Sequence, residues 1–516
     1  MPSLSSNSRE PRTNLALALA AGFALIGTVA CWCVPLEGLL RYLSCDDSFY
    51  FSEIARRIAE DGSSSLDGRN ATNGYQPLWL WLQVPIFLLG LDDVGAIRAT
   101  RALEVLLALG ACCAWIVTLT RAQVLPVAAC LMLVFFTRAH ALYIGMEAGV
   151  SVASLAACGW LLSRLEGASD AHRELWALLT GVGLSLAALA RLDNLAFAGA
   201  VTVWVALFWR SGGLGRRGLL CMTAPQVVIL GAYALANQLA FETALPVSGL
   251  VKQMWSESAS DEGFVQFVRR LDAMWSHGHV RDGVLFGAVA LFLTAWRRRT
   301  LVPMAAGLLG LAAAKCLYYS WTVEPRLGTY SWYFVTGAMT RYFALGLVAD
   351  LLLSALKRRL PPSAVTWTCL ALVIAASGRN LYRHVQQARR AAPEWEQASY
   401  DGALWLASHV PGDARVASFD AGVLAYFTPH AVTNLDGLVG SMDFLRDRRA
   451  GVPLEDFLER DKIDYVANVV ADPDGEFARK GLEGEPGSSF ELLHRAGDRV
   501  FVDGAWRSFV VLKRRE

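Results

Sequence analysis

Apolar runs of about 15 to 22 residues recur along this chain, separated by short charged or Gly/Pro-containing links. As helices, runs of that length are long enough to cross a hydrocarbon core of roughly 30 Å. This spacing predicts a polytopic α-helical membrane protein before any single residue is considered. Composition agrees: 18% of the 516 residues are charged and 54% are hydrophobic, against roughly 25% charged in soluble proteins. The net charge of +1 gives no sign of a nucleic-acid partner.

Nearly all the cysteines lie inside the apolar runs: Cys31, Cys33, Cys112, Cys113, Cys130, Cys158, Cys221, Cys316 and Cys369. Cys45 alone falls in an expected outer loop. No CxxC pairing points to structural zinc, so these are small, soft residues for helix–helix contacts rather than a disulfide framework. Residues 1–14 are polar and mildly basic, and an apolar run over 15–34 follows. That run is too long for a signal-peptide core and lacks a small-residue cleavage site. It reads as a first span with the N-terminus in the cytoplasm.

Lys and Arg in short links set the orientation. Cationic links occur near Arg121, from Arg164 to Arg173, from Arg210 to Arg217, at Arg297-Arg298-Arg299 and at Lys357-Arg358-Arg359. With most of these cytoplasmic, the expected spans are 15–34, 98–120, 123–140, 147–163, 175–190, 194–209, 217–237, 282–296, 301–319, 338–356 and 364–381. That gives about eleven crossings in the cell (inner) membrane and puts the C-terminus outside. The apolar stretch 77–90, with Trp79, Trp81 and Pro85, is too short to cross and suits an interfacial or dipping helix. Three outer segments follow from this threading: 35–96, 239–281 and 321–337.

From about Arg383 the composition changes. Residues 393–409 form an amphipathic pattern, and short apolar strands are expected at 415–419, 431–435, 465–470 and 508–512. Two domains are thus expected: a transmembrane module over 1–382 and an extracytoplasmic α/β domain over 383–516.

The first outer loop carries the strongest chemical signal. Asp46 and Asp47 stand just past the first span, at the start of an amphipathic helix with Glu53, Arg56, Arg57 and Glu60 on its wet face. Structurally, such a pair caps a helix and complements its dipole. Chemically, a carboxylate at the outer membrane boundary is partly desolvated, which raises its pKa and makes it a better base.

Further motifs run along the chain: Thr72-Asn73-Gly74-Tyr75-Gln76-Pro77-Leu78-Trp79, Gly145-Met146-Glu147, Ala190-Arg191-Leu192-Asp193, Pro246-Val247-Ser248-Gly249 and Asn434-Leu435-Asp436-Gly437-Leu438. Together with Asp46-Asp47-Ser48-Phe49-Tyr50, and in this order, the chain resembles bacterial members of the GT-C glycosyltransferase superfamily. These polytopic enzymes include mannosyl- and arabinosyltransferases that use polyprenyl-phosphate sugars. The resemblance implies a GT-C-like fold and a hexosyl- or pentosyltransferase working on a cell-envelope glycan, lipid or protein. Asp46 would then be the general base, with Asp47 supporting it or binding a divalent cation (calcium or magnesium). Asn73, Tyr75 and Gln76 would shape a substrate pocket, although the family often has another residue at the position of Gln76. Lys252 follows Pro246-Val247-Ser248-Gly249, where the family tends to place a basic residue.

Other candidates compete with plain structural roles. Glu147, at a span end, either serves the site or favours a helix dipole. Arg191 and Asp193 are substrate contacts or a structural ion pair. A departing lipid phosphate needs cations, and Lys252, Arg326, Arg341 and Arg191 are the candidates, each equally suited to anchor at the interface. His277 and His279 form an HxH that more often binds no metal. Asn70-Ala71-Thr72 matches a glycosylation sequon but overlaps the first-loop motif. Asp436 is a turn residue or faces the acceptor. No GxxxxGK[ST] fingerprint occurs, so no nucleotide cofactor is expected. A flippase of lipid-linked glycans would instead show midplane charges and inverted repeats, and an envelope scaffold would tolerate loss of the acidic pair.

Overall fold

The computed structural model describes residues 10–208, 214–257, 263–322, 330–356, 361–390, 395–471, 489–496, 500–502 and 505–515. Arg326 and the basic links at Arg210 and at Lys357-Arg358-Arg359 lie outside the described residues.

Among the described residues, nine helices are long and apolar enough to cross a membrane: Thr13–Cys33, Asp93–Arg121, Ala148–Glu166, Asp170–Ala190, Arg216–Phe241, Gly278–Arg297, Arg299–Thr322, Trp332–Leu356 and Ser363–Arg390. The expected spans at 123–140 and 194–209 form the shorter apolar helices Pro126–Arg138 and Leu192–Phe208. The chain is a polytopic α-helical membrane protein with a C-terminal α/β sheet. The helix Pro77–Phe87 has 11 residues. At about 1.5 Å per residue it reaches about 16 Å, roughly half the hydrocarbon thickness. It is too short to cross.

The chain divides into two compact units. The first comprises Met1–Trp32, Ala102–Ala232 and Ala259–Val385; the second comprises Cys33–Arg101, Tyr233–Ser258 and Gln386–Glu516.

Within the first unit, two sets of charged side chains make polar contacts. Arg191, Asp193, Glu147 and Lys315 meet one another, and Lys315 Nζ donates to the Tyr333 carbonyl at 2.7 Å. Elsewhere, Asp350 accepts from Arg298 Nη2 at 2.6 Å and from the Leu125 amide at 2.9 Å. The threading puts 147, 191–193, 315 and 333 toward one side, and the links at 121–125 and 297–299 toward the other. The two sets of contacts keep that division.

The second unit holds the helix Asp46–Asp61, the helix Val247–Glu257 and the C-terminal sheet. The strands are β1 (Arg415–Ser418), β2 (Ala431–Asn434), β3 (Tyr465–Val470), β4 (Phe490–Arg495), β5 (Val500–Val502) and β6 (Ala505–Arg514). Their order is β2-β1-β3-β6-β4, with β5 paired to β6. β1 is parallel to both β2 and β3, while β6 runs antiparallel to β3 and β4.

Residues 508–512 of β6 are buried on both faces, as the unbroken run Phe509-Val510-Val511-Leu512 predicts. Val510 and Leu512 join a core with Phe444, Leu454, Phe457 and Leu458. The Phe509 ring lies against Gly402 of the helix Trp395–His409. The expected strand segments at 465–470 and 508–512 are β throughout, and those at 415–419 and 431–435 are β up to Ser418 and Asn434. The sequence reading gives no strand at β4 or β5: β4 buries Phe490 and then exposes three consecutive residues, and β5 has only three residues.

Candidate active site

The helix Asp46–Asp61 is amphipathic, burying Phe49, Tyr50, Ile54 and Ala55, and it ends at Gly62 with φ of 79°. That left-handed stop suits glycine, which has no Cβ to clash. Cys45 occupies the N-cap position and makes no side-chain cap bond. The first-loop acid does cap a helix, but not its own. Asp46 Oδ2 accepts the Gly422 amide at 3.0 Å and Oδ1 accepts the Val423 amide at 2.9 Å. Both amides open the short helix Gly422–Phe427, which follows β1.

One turn along the same helix, the Tyr50 hydroxyl accepts from the Ala421 amide at 3.1 Å and from Asn434 Nδ2 at 3.0 Å. It also lies 3.4 Å from Asp436 Oδ2. Asp436 Oδ1 accepts the Leu438 amide at 2.7 Å, closing the turn after β2. Asp420 follows β1. Neighbouring parallel strands thus each deliver a carboxylate at the carboxyl end, with β1 the strand at which the sheet order divides. In open α/β sheets, ligands bind in the crevice at such a point.

Burial pushes the Asp46 carboxyl well above its ordinary range, Asp420 and Asp47 push it further, and the Val423 and Gly422 amides pull it back. Burial raises Asp436 to about 8, against the Leu438 amide and with help from Asp420 and Asp47. The buried Tyr50 phenol is raised as well. Asp47 is half-buried. A desolvated carboxylate held among other carboxylates is a strong proton acceptor.

The first unit contains a second constellation. Arg191 pairs with Glu147 through Nη1 and with Asp193 through Nη2, the latter at 3.0 Å. Lys315 Nζ lies 3.3 Å from Asp193 Oδ2, and the Tyr319 hydroxyl 3.4 Å from it. The Arg191 guanidinium also sits 4.8 Å from the centre of the Tyr333 ring. Two acids and two bases balance, and Glu147, Arg191 and Lys315 are almost fully buried. The spacing that linked Arg191 to Asp193 is therefore an ion pair within a larger network.

The remaining candidates scatter. Asn73 is buried, and both ends of its side chain are taken up by the backbone just before and at the start of the helix Val247–Glu257. Oδ1 accepts the Val247 amide at 3.0 Å and Nδ2 donates to the Leu245 carbonyl at 3.3 Å. Tyr75 shares a 2.7 Å hydrogen bond with Ser64, and Gln76 stands at the N-cap of Pro77–Phe87. Lys252 is half-buried on the helix Val247–Glu257. Arg341 pairs with Asp282 at 2.5 Å. The Asn70 amide of the sequon donates to Asp67 at 2.7 Å. The His277 and His279 rings are 6.0 Å apart.

Among the described residues, no group of three or more His, Cys, Asp or Glu is arranged to hold a metal ion.

Two residues escaped the sequence reading. Asp420 carries no motif, yet Ser418-Phe419-Asp420-Ala421-Gly422 and Asn434-Leu435-Asp436-Gly437 share a form: a strand end, then an acid, then glycine. Lys315 is the lone cation inside the apolar stretch 301–319, and a charge within a span is itself a functional signal.

A family described as a domain of unknown function (DUF8728) matches residues 383–507. No curated protein matches the chain. Among solved structures, the crystal structure of ArnT from Cupriavidus metallidurans bound to undecaprenyl phosphate is similar, with a TM-score of 0.48 and 16% identity. The same protein in the apo state gives 0.47 and 15%. Each similarity covers 95% of this chain and 97% of the other.

Proposed function

We propose that this chain is an inverting glycosyltransferase that moves a sugar from a polyprenyl-phosphate donor to an acceptor outside the cytoplasm. The observation that carries this reading is Asp46, buried, oriented by two amides and raised in proton affinity, within the first-loop sequence that resembles GT-C enzymes. In the proposed step, Asp46 takes the proton of the acceptor hydroxyl as that oxygen bonds to C1 of the sugar. The bond from C1 to the phosphate oxygen breaks on the opposite face, and the polyprenyl phosphate leaves with the electron pair. One base and one departure suffice for inversion.

Lys252 is the proposed partner of the donor phosphate. It stands just after Pro246-Val247-Ser248-Gly249, where the resembled family tends to place a basic residue. The donor sugar is a hexose or pentose, mannose and arabinose being the first to try, and the acceptor is an envelope glycan, lipid or protein. In this reading the C-terminal sheet is extracytoplasmic, the N-terminus is cytoplasmic and the membrane is the cell's inner membrane.

The test uses purified full-length protein in vesicles, with synthetic polyprenyl-phosphate sugars and extracted envelope acceptors. Wild type should form glycosylated product detectable by mass spectrometry. Asp46→Asn should form none while eluting as a folded monodisperse species. Wild-type rates in the folded Asp46→Asn protein would remove the proposed base. Movement of lipid-linked glycan across the vesicle without transfer would favour a flippase instead.

A further inference from the structure

We infer that the turn from Asp420 to Val423, at the carboxyl end of β1, is a working part of the transfer machinery, with the Gly422 and Val423 amides acting as positioning groups for Asp46. This inference rests on the reading of Asp46 as the base. It gives the C-terminal sheet a direct part in the reaction.

The two amides address different oxygens of one carboxylate, at 3.0 and 2.9 Å. A carboxylate gripped at both oxygens cannot rotate, so its remaining lone pairs point in one fixed direction. The turn is itself held from several sides. The Ala421 amide donates to the Tyr50 hydroxyl, Asn434 Nδ2 donates to the Phe419 carbonyl at 3.0 Å, and Ser418 Oγ donates to the Asp420 carbonyl at 3.1 Å.

Position 422 has no room for a side chain. A Cβ there would collide with the Asp46 carbonyl and crowd Asp46 Oδ2. The glycine therefore permits the close approach that brings the acid under the amides.

The electrostatic setting explains what the amides contribute. Asp47 from the same helix and Asp420 from the turn both disfavour a charged Asp46. Tyr50 and the Asp436 turn stand beside them, and Arg101 binds Ser44 and Ser48 on either side of the acid. The two amides counter the repulsion by bonding to the charged form. Losing one should both misdirect the carboxylate and raise the pH at which it ionises.

The experiment compares Gly422→Ala and Tyr50→Phe with Gly412→Ala in the full-length protein. A Cβ at Gly412 meets nothing within 4 Å, so that variant is the control. Transfer rates are measured against pH with the donor used for wild type. Gly422→Ala should lower kcat by roughly 10- to 100-fold, leave KM for the donor unchanged, and move the acid limb of the profile to higher pH. Tyr50→Phe should move both in the same direction by less, and Gly412→Ala should change neither.

If Asp46→Asn is inactive while Gly422→Ala keeps the wild-type kcat and pH profile, this inference fails and the base assignment stands. If Asp46→Asn is active, the base assignment itself fails. Should Gly422→Ala elute as aggregate, Tyr50→Phe decides: a wild-type pH profile in that variant overturns the inference.

Discussion

The Asn434 side-chain amide donates to the Tyr50 hydroxyl at 3.0 Å, joining the end of β2 to the helix Asp46–Asp61. The same hydroxyl receives the Ala421 amide. One phenol thereby satisfies two buried donors from different turns of the C-terminal sheet. Tyr50→Phe should leave the Ala421 amide without this acceptor and Asn434 Nδ2 with the Phe419 carbonyl alone, destabilising the second unit by about 1–3 kcal/mol. Limited proteolysis of the C-terminal segment against temperature should show earlier cleavage than in wild type.

The Asp436 carboxyl makes stability depend on pH. Its pKa is raised to about 8 in the folded chain by burial, while an unfolded Asp titrates near its ordinary value, about 4. Between those two values the folded state holds a proton that the unfolded state has released. The contribution is fully present below about pH 4 and is lost as pH rises through about 8. Asp436→Asn, whose carbonyl can still accept the Leu438 amide, should flatten this decline. Thermal midpoints across the range will check it, and an unchanged slope would contradict the assignment.

Asp420 acts on Asp46 through charge. It raises the proton affinity of the proposed base, so Asp420→Asn should lower it. The acid limb of kcat/KM should move to lower pH, opposite in direction to Gly422→Ala. A shift to higher pH, or none, would show that Asp420 does not act on the base through its charge.

The buried network in the first unit should respond as a network. Arg191→Met strands Glu147 and leaves Asp193 with Lys315 and Tyr319, and should cost about 3–5 kcal/mol. Lys315→Met should cost less, because Asp193 keeps Arg191. Combining Arg191→Met with Glu147→Gln should cost less than the two singles added. A double-mutant cycle on unfolding midpoints in detergent measures this coupling.

Lys252→Ala should raise KM for the polyprenyl-phosphate donor and leave that for the acceptor unchanged. Initial rates with each substrate varied in turn will separate the two.

Nine of the eleven expected spans are helices long and apolar enough to cross a membrane, because hydrocarbon thickness fixes a length and an apolar content legible in any window, while 123–140 and 194–209 form shorter helices. The sequence by itself also determined four of the strand segments, through short apolar runs between Gly, Asp and Pro. The first-loop acid was legible too, since Asp46 and Asp47 stand together beside a span.

Only the tertiary structure decided what surrounds that acid. Gly422 and Val423 lie more than 370 positions from Asp46, and no local period records which distant turn supplies an amide. It likewise turned Arg191, Asp193 and Glu147 from separate candidates into one balanced network and added Lys315 to it. Charge pairing depends on distance in space and on exclusion of water. Both are products of packing, and neither is carried by spacing along the chain.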